Sequence, residues 1–298
     1  MRIVSLVPHA TELLFALGLG DDVVAVTHEC DFPTAARRLP NVTTDRLPTG
    51  LTSGEIDAAV RAATTQAGSI YALDAALLRE LEPDLIVTQA LCPVCAVSVA
   101  EVEAVAGTIA SRPKVITLDP KTLGETMGDI RTLAHATGAT DAALDLVARQ
   151  RERIDAVKVA VRGVAHRPRV VALEWFDPVF VAGHWTPQLV ELAGGEDTLG
   201  FAGEHSEQVD WDTVRAARPE VVVCMPCVYD GPRAHLEAML FSHELATLGA
   251  RRIVAVDASA SFSRPGPRLV DGLELLAHVL HPDRVATPGT LRALDVVL

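Results

Sequence analysis

RIVSLVPHATELLFALGLGDDVVAVT, residues 2–27, holds a strand, a loop, a helix and a second strand in one short stretch. RIVSLV (2–7) and DVVAVT (22–27) are apolar runs of strand length. Between them lies a Pro-His-Ala-Thr-Glu loop and an apolar helix ending at Gly18 and Gly20. Strands that are apolar throughout are what a parallel sheet covered on both faces requires. DLIVT (84–88) and KVITL (114–118) repeat the pattern. Helix starts are marked by Ser/Thr with Glu three residues on, at Thr52/Glu55, Ser98/Glu101 and Thr122/Glu125, where each pair satisfies orphan N–H groups. Strand–helix–strand alternation predicts an open α/β sheet.

From 140 to 162 the chain reads as one long helix without a breaker. Ala143, Leu146, Val147, Gln150, Ile154, Val157 and Val161 recur at i, i+3/i+4 spacing. Arg167-Pro168 stops it, and the rhythm restarts with RVVALEW (169–175), VFVAG (179–183), EVVVCM (220–225) and RIVAVDA (252–258). Thr186-Pro187 is expected to open a helix, with Thr as cap and Pro at the first helical position. A further helix is expected from about Gly266 to His281. The organisation expected is an N-terminal α/β lobe (1–139), a linking helix (140–162) and a C-terminal α/β lobe (163–298).

The 298 residues carry 39 acidic and 26 basic side chains, a formal charge of -13, which repels phosphate backbones and argues against nucleic acid as a partner. Nearly half the residues are apolar, ample for packed cores. No stretch offers the ~20 unbroken apolar residues of a membrane span. Five cysteines are too few for a disulfide scaffold. The opening MRIVSLVPHATELL lacks the long apolar core and cleavage site of a signal peptide. These features predict a cytoplasmic protein with free thiols.

In open parallel sheets ligands bind beyond the carboxyl ends of the strands. His9, Thr11 and Glu12 follow the first strand, and His28, Glu29 and Cys30 the second. Gln89, Cys92 and Cys95 follow DLIVT. In the second half Trp175, Asp177, His184 and Trp185 stand near the first strand or its hairpin, and Cys224, Cys227 and Tyr229 follow EVVVCM. Free cysteine is often a small buried hydrophobe, which suits Cys224. Alternatively the thiolates, with His28 or Glu29, ligate zinc or an iron–sulfur centre. A third reading is redox chemistry at CPVC (92–95), where a helix N-terminus lowers a thiol pKa. Trp175 and Trp185 either pack the second core or form a stacking surface for a large flat ligand, and Tyr71 sits in a polar loop. Trp211 lies on a helix and is expected in the core. No G-x-S-x-G elbow, phosphate-binding glycine loop or H-E-x-x-H helix occurs, so an enzyme reading has no motif of its own.

Laid out this way, the chain resembles the helical-backbone (class III) substrate-binding proteins of metal-chelate import, and among them the cobalamin and iron-chelate type. RIVSLVPHATELLFALGLGDDVVAVT is similar to the family opening, LLRELEPDLIV (77–87) to its helix-to-strand junction, RPRVVALEWFDPVFVAGHWTPQLVELAGGED (167–197) to the start of its second lobe, and RPEVVV (218–223) to a later junction. The resemblance implies two lobes, each a mainly parallel sheet flanked by helices, joined by one backbone helix. It also implies a small-molecule ligand, cobalamin or a related corrinoid, held in a cleft between the lobes. His9, Tyr71, Trp175, His184 and Trp185 are the residues expected against it, with Cys30, Cys92, Cys95 and Cys227 lining the cleft. The likeness is to a signal-less cobalamin-binding subgroup. Importer-docking members carry an acidic side chain on each lobe. Ala76 stands at the first of those positions and Asp212 near the second, so docking to an ABC permease is not expected. The alternative function on the same scaffold is a metal- or cluster-bearing protein, possibly an enzyme, using Cys30, Cys92, Cys95, Cys227 and His28 for zinc or an iron–sulfur cluster.

Overall fold

The computed structural model describes residues 1–67, 69–90, 96–289 and 291–298. The chain packs as two compact units, one of Met1–Pro120 and Met127–Val147, the other of Lys121–Thr126 and Ala148–Leu298.

In chain order the first half comprises β1 (Ile3–Ser5), α1 (Pro8–Ala16), β2 (Val23–Val26), β3 (Thr43–Asp45), α2 (Ser53–Ala67) and β4 (Tyr71–Leu73). It continues with α3 (Ala75–Leu81), β5 (Leu85–Gln89), α4 (Val99–Ala106), β6 (Lys114–Leu118), α5 (Leu123–Thr137) and α6 (Thr140–Ala160). The sheet of the first unit has the order β2-β1-β5-β6 and is parallel throughout. Because side chains alternate along a strand, Ile3, Leu85 and Val87 join one apolar cluster with Leu13, Leu14, Ile130 and Leu133. Val4 and Ile86 point the other way, into a cluster with Leu78, Val102 and Ala106. Both faces are covered, which explains strands without polar alternation. The segment expected as a Pro-His-Ala-Thr-Glu loop is instead the first turn of α1: Pro8 lacks the N–H that a first helical residue leaves unpaired.

The second half comprises β7 (Arg169–Phe176), β8 (Val179–Val181), α7 (Thr186–Leu192), β9 (Glu196–Asp197), β10 (Glu207–Val209) and α8 (Trp211–Ala216). Then come β11 (Val221–Cys224), α9 (Gly231–Leu240), α10 (Ser242–Thr247), β12 (Arg252–Ala255), α11 (Ala258–Ser261), α12 (Leu269–Leu280) and β13 (Leu294–Asp295). Its sheet runs β10-β8-β7-β11-β12-β13, with β9 beside β7. The interior pairs β7–β11–β12 are parallel, whereas β8, β10 and β13 join antiparallel at the rims. Val171, Leu173, Val222, Cys224, Ile253 and Ala255 share one core with Phe176, which stacks on Trp211 and Phe241.

All seven residues of the stripe read from the sequence of α6 are buried. Ala143, Leu146 and Val147 belong to a core of the first unit. Farther along, within the second unit, Arg153 bridges to Asp271 at 2.5 Å and Glu274 at 2.7 Å on α12. Among the described residues no helix is long and apolar enough to cross a membrane.

Candidate functional site

In the first unit, β2 delivers Thr27, His28, Glu29 and Cys30 to the carboxyl edge of the sheet. The short antiparallel pair of β3 and β4 brings Thr43 and Tyr71 alongside. The His28 Nδ1 is hydrogen-bonded to Thr43 Oγ1 at 2.7 Å, which fixes the ring. Its edge meets the Tyr71 ring at 5.0 Å between centroids. Glu29 Oε1 lies 3.6 Å from His28 Nε2 and 3.5 Å from the Tyr71 hydroxyl, which donates to it. An imidazole, a phenol and a carboxylate, two of them half-buried, therefore converge at one sheet edge.

His9 lies in a different environment. It is buried on α1 with Thr11 and Glu12. Cys30 is buried too, its Sγ 3.1 Å from Thr11 Oγ1, whose hydroxyl also donates to Ser5 Oγ at 2.8 Å.

In the second unit the carboxyl ends of β7 and β11 present Glu174, Trp175, Cys227 and Tyr229. The Trp175 and Tyr229 rings meet edge-on at 5.6 Å, and the Trp175 indole N–H donates to Asp177 O. Tyr229 is buried with the Arg233 guanidinium 3.7 Å above its ring. Burial pushes the Tyr229 hydroxyl up, partly offset by Arg233. Glu174 accepts a 2.5 Å hydrogen bond from the Ser206 hydroxyl. Burial nevertheless pushes its carboxyl up to about 7, against the ordinary 4.5, so near neutral pH it both donates and accepts.

Next to it, His184 Nε2 lies 3.2 Å from His205 Nδ1 with the rings nearly perpendicular. His184 has a φ of 53° and Val228 a φ of 60°. Left-handed backbone of this kind costs a non-glycine residue roughly 1–2 kcal/mol, most for a β-branched one, and such strain concentrates at functional sites. Glu82, Arg112 and Arg218 share the conformation, but they stand just ahead of β5, β6 and β11, at the opposite edge.

Gly183 makes the His184–His205 juxtaposition possible. A Cβ there would lie 2.6 Å from Glu204 O, from the His205 carbonyl carbon and from Ser206 N. The two segments also exchange backbone bonds, His184 N–H to Glu204 O and Gly203 N–H to His184 O. Gly183→Ala is expected to push this loop away, lowering stability by roughly 1–3 kcal/mol. Removing Ser206 from Glu174 would also raise the Glu174 pKa further. An unfolding midpoint in urea equal to that of the wild type would show that the loop is not clamped.

Trp185 is only 4% exposed, and its indole N–H donates to Phe262 O at 2.8 Å. The structure thus places it within the second unit's interior, on the packing side of the two readings of this tryptophan. Thr186 is itself the first residue of α7 rather than its cap. Trp185 holds the cap position, and the Thr186 hydroxyl is buried without a hydrogen bond among the described residues.

The cysteine reading finds no support among the described residues. Cys92 and Cys95 lie outside the described residues. Of the remaining proposed ligands, Cys30 and His28 belong to the first unit and Cys227 to the second. Cys30 is turned into an apolar core and His28 Nδ1 is engaged by Thr43. Among the described residues no group of three or more His, Cys, Asp or Glu side chains is arranged to hold a metal ion. Zinc and iron–sulfur ligation therefore gain no support. Cys224 is the buried hydrophobe expected of it, its thiol pushed far up by burial. Sequence reasoning missed His205 and Ser206. Their only signal was GEHSEQ (203–208), a polar run without apolar periodicity between two strand-forming stretches.

The periplasmic binding protein family model matches residues 3–252. The vitamin B12-binding protein of Vibrio vulnificus (strain YJ016) is 51% identical over 41 residues, which cover 14% of this chain and 15% of that protein's length. The uncharacterized ABC transporter substrate-binding lipoprotein YvrC of Bacillus subtilis (strain 168) is 24% identical over 297 residues, covering 95% of this chain and 80% of that one. Among solved structures, the periplasmic heme-binding protein RhuT from Roseiflexus sp. RS-1 superposes with a TM-score of 0.67 at 25% identity, over 91% of this chain and 94% of that one. These matches overturn the cytoplasmic expectation: the family and the relatives are periplasmic or lipid-anchored, which points outside the cytoplasm. That expectation rested on the first residues and on free thiols, and the family match over residues 3–252 outweighs both. With a parallel sheet in the first unit, a parallel-centred mixed sheet in the second and a family match over most of its length, the chain belongs to the periplasmic binding proteins.

Proposed function

We propose that this protein binds a metal-chelate macrocycle, a corrinoid or a heme, and presents it to an ABC permease. The observation that carries the reading is the pairing of flat side chains at the carboxyl edge of each unit's own sheet, His28 with Tyr71 and Trp175 with Tyr229. Aromatic faces suit a large flat ring, and imidazoles are ready ligands for a chelated metal. The vitamin B12-binding and heme-binding relatives support this ligand class. Glu29 and Glu174 supply hydrogen-bonding capacity for the polar rim of such a ring. Cobalamin is favoured by the 51% identity of the short match, and heme is the other arm of the test. Permease docking goes with this reading, against the expectation drawn from Ala76, because the full-length relative YvrC is an ABC transporter substrate-binding lipoprotein. Asp212, 85% exposed at the start of α8 and paired with Arg215, is the acidic contact the second unit offers.

Absorption titration of the purified protein with hydroxocobalamin, and separately with hemin, tests this. A saturable one-to-one spectral change with one of them is expected. Trp175→Ala is expected to weaken it about tenfold, ~1.4 kcal/mol. Absence of a saturable change with both chelates would sink the reading.

A further inference from the structure

The second unit contains a cavity of about 490 Å³ at the amino edge of its sheet, the edge opposite Trp175 and Tyr229. Glu220 and Arg251 stand just ahead of β11 and β12, and both line it. Its charged wall consists of three arginines, Arg251, Arg252 and Arg284, against one carboxylate, Glu220, with His166 and His281 beside them. In a chain of net charge -13 this concentration of cations runs against the overall balance.

The Glu220 carboxylate is already engaged. It accepts from His166 at 2.9 Å and from the Arg169 backbone N–H at 3.1 Å, and it pairs with the Arg169 guanidinium at 3.3 Å. Arg252 is engaged as well, with Asp295 and Val279 O. Arg251 reaches Glu220 only at 3.7 Å and is 79% exposed. The exposed Arg284 guanidinium has no hydrogen bond or ion pair among the described residues. The Arg284 guanidinium and the Arg251 guanidinium, held only by its long contact with Glu220, are therefore exposed to an incoming anion, and their planar forks match phosphate oxygens two at a time. The rest of the wall is apolar: Val279 and Leu280 are buried and form its base, while Val164, Ala165 and Pro282 are at least partly open to solvent. Apolar walls focus the field of the cations and offer surface to a hydrocarbon body. The volume falls in the range of small-molecule sites and exceeds what a bare phosphate fills.

We propose that this cavity binds an amphiphilic phosphomonoester, its head on Arg251 and Arg284 and its apolar body along Val164, Ala165 and Pro282. The proposal is independent of the chelate reading. Isothermal titration of the full chain at low salt with octyl phosphate, inorganic phosphate and octanol tests it. Octyl phosphate should bind one-to-one and at least tenfold more tightly than either fragment. The double variant Arg251→Ala/Arg284→Ala should lose at least tenfold in affinity, while keeping the unfolding midpoint and the chelate titration of the wild type. Arg149→Ala/Arg151→Ala, exposed arginines on α6, should leave octyl phosphate binding unchanged. Equal affinity in the double variant, an equal loss in the control pair, or no saturable binding overturns the proposal. Co-sedimentation with phosphatidylglycerol vesicles assigns the source of the phosphate. Sedimentation that needs Arg251 and Arg284 points to a lipid headgroup. Binding of octyl phosphate without sedimentation points to a soluble ester.

Discussion

Trp185→Ala is expected to lower the free energy of unfolding by about 3–5 kcal/mol, the usual cost of emptying a tryptophan-sized volume in a packed interior. The ring is nearly wholly buried, and the substitution also leaves Phe262 O without its donor. That orphaned carbonyl adds a desolvation penalty of roughly 1 kcal/mol within the same range. Urea unfolding monitored by far-UV circular dichroism reads the effect, because the fluorescence of this tryptophan disappears with it. A loss below about 1 kcal/mol would mean the ring has no tight surroundings to lose. Trp185→Phe separates the two readings of this residue. If the ring only packs, the variant loses part of the stability and keeps the wild-type chelate titration. A large drop in chelate affinity at modest cost in stability would return Trp185 to the ligand.

Glu174→Gln should produce the second large effect, and its sign depends on pH. In the folded protein burial raises this carboxyl to about 7 from 4.5, so the native state holds the proton more tightly than the unfolded chain. The stability this confers is fully present below pH 4.5 and is lost progressively as pH rises through 7. The gap amounts to ~3 kcal/mol. A glutamine keeps the shape, can accept from Ser206, and never ionises. The variant should match the wild type near pH 4.5 and exceed it by roughly 2–3 kcal/mol at pH 8. Chemical denaturation at a series of pH values checks this, and parallel curves for the two proteins would refute it. Because the same carboxyl stands beside Ser206 and the His184–His205 pair, a chelate contacting this edge should bind with a pH dependence that the glutamine variant flattens.

The parallel core strands were legible because each is an unbroken apolar run. RIVSLV, DVVAVT, DLIVT, KVITL, RVVALEW, EVVVCM and RIVAVDA contain β1, β2, β5, β6, β7, β11 and β12. The capping pairs were equally local, and Thr52 with Glu55 exchanges both expected bonds, as does Thr122 with Glu125. What escaped were the short strands that lie outside an apolar run. TTD of β3, YAL of β4 and EQV of β10 are too short for periodicity to register, and distant partners define them. The site shows the same division. His28 and Trp175 could be placed because each follows a legible strand. Thr43 on β3, and His205 and Ser206 just ahead of β10, arrive on or beside the illegible ones, so the groups that orient an imidazole or tune a carboxylate were invisible. Burial was the other blind spot: Trp185 and Cys30 sit at strand ends by sequence, yet their side chains turn inward.

The rims of the second sheet have a bearing on self-association. Its long parallel strands lie inside, while β10 at one rim has three residues and β13 at the other has two. Short, antiparallel outer strands give another polypeptide little backbone to zip onto, a common protection against edge-to-edge aggregation. Arg252 bonded to Asp295 and Val296 N–H bonded to Ile253 O hold the last segment over β12. A chain cut ahead of Leu294 would bare the edge of the apolar strand RIVA, and with it a template for cross-β pairing between copies.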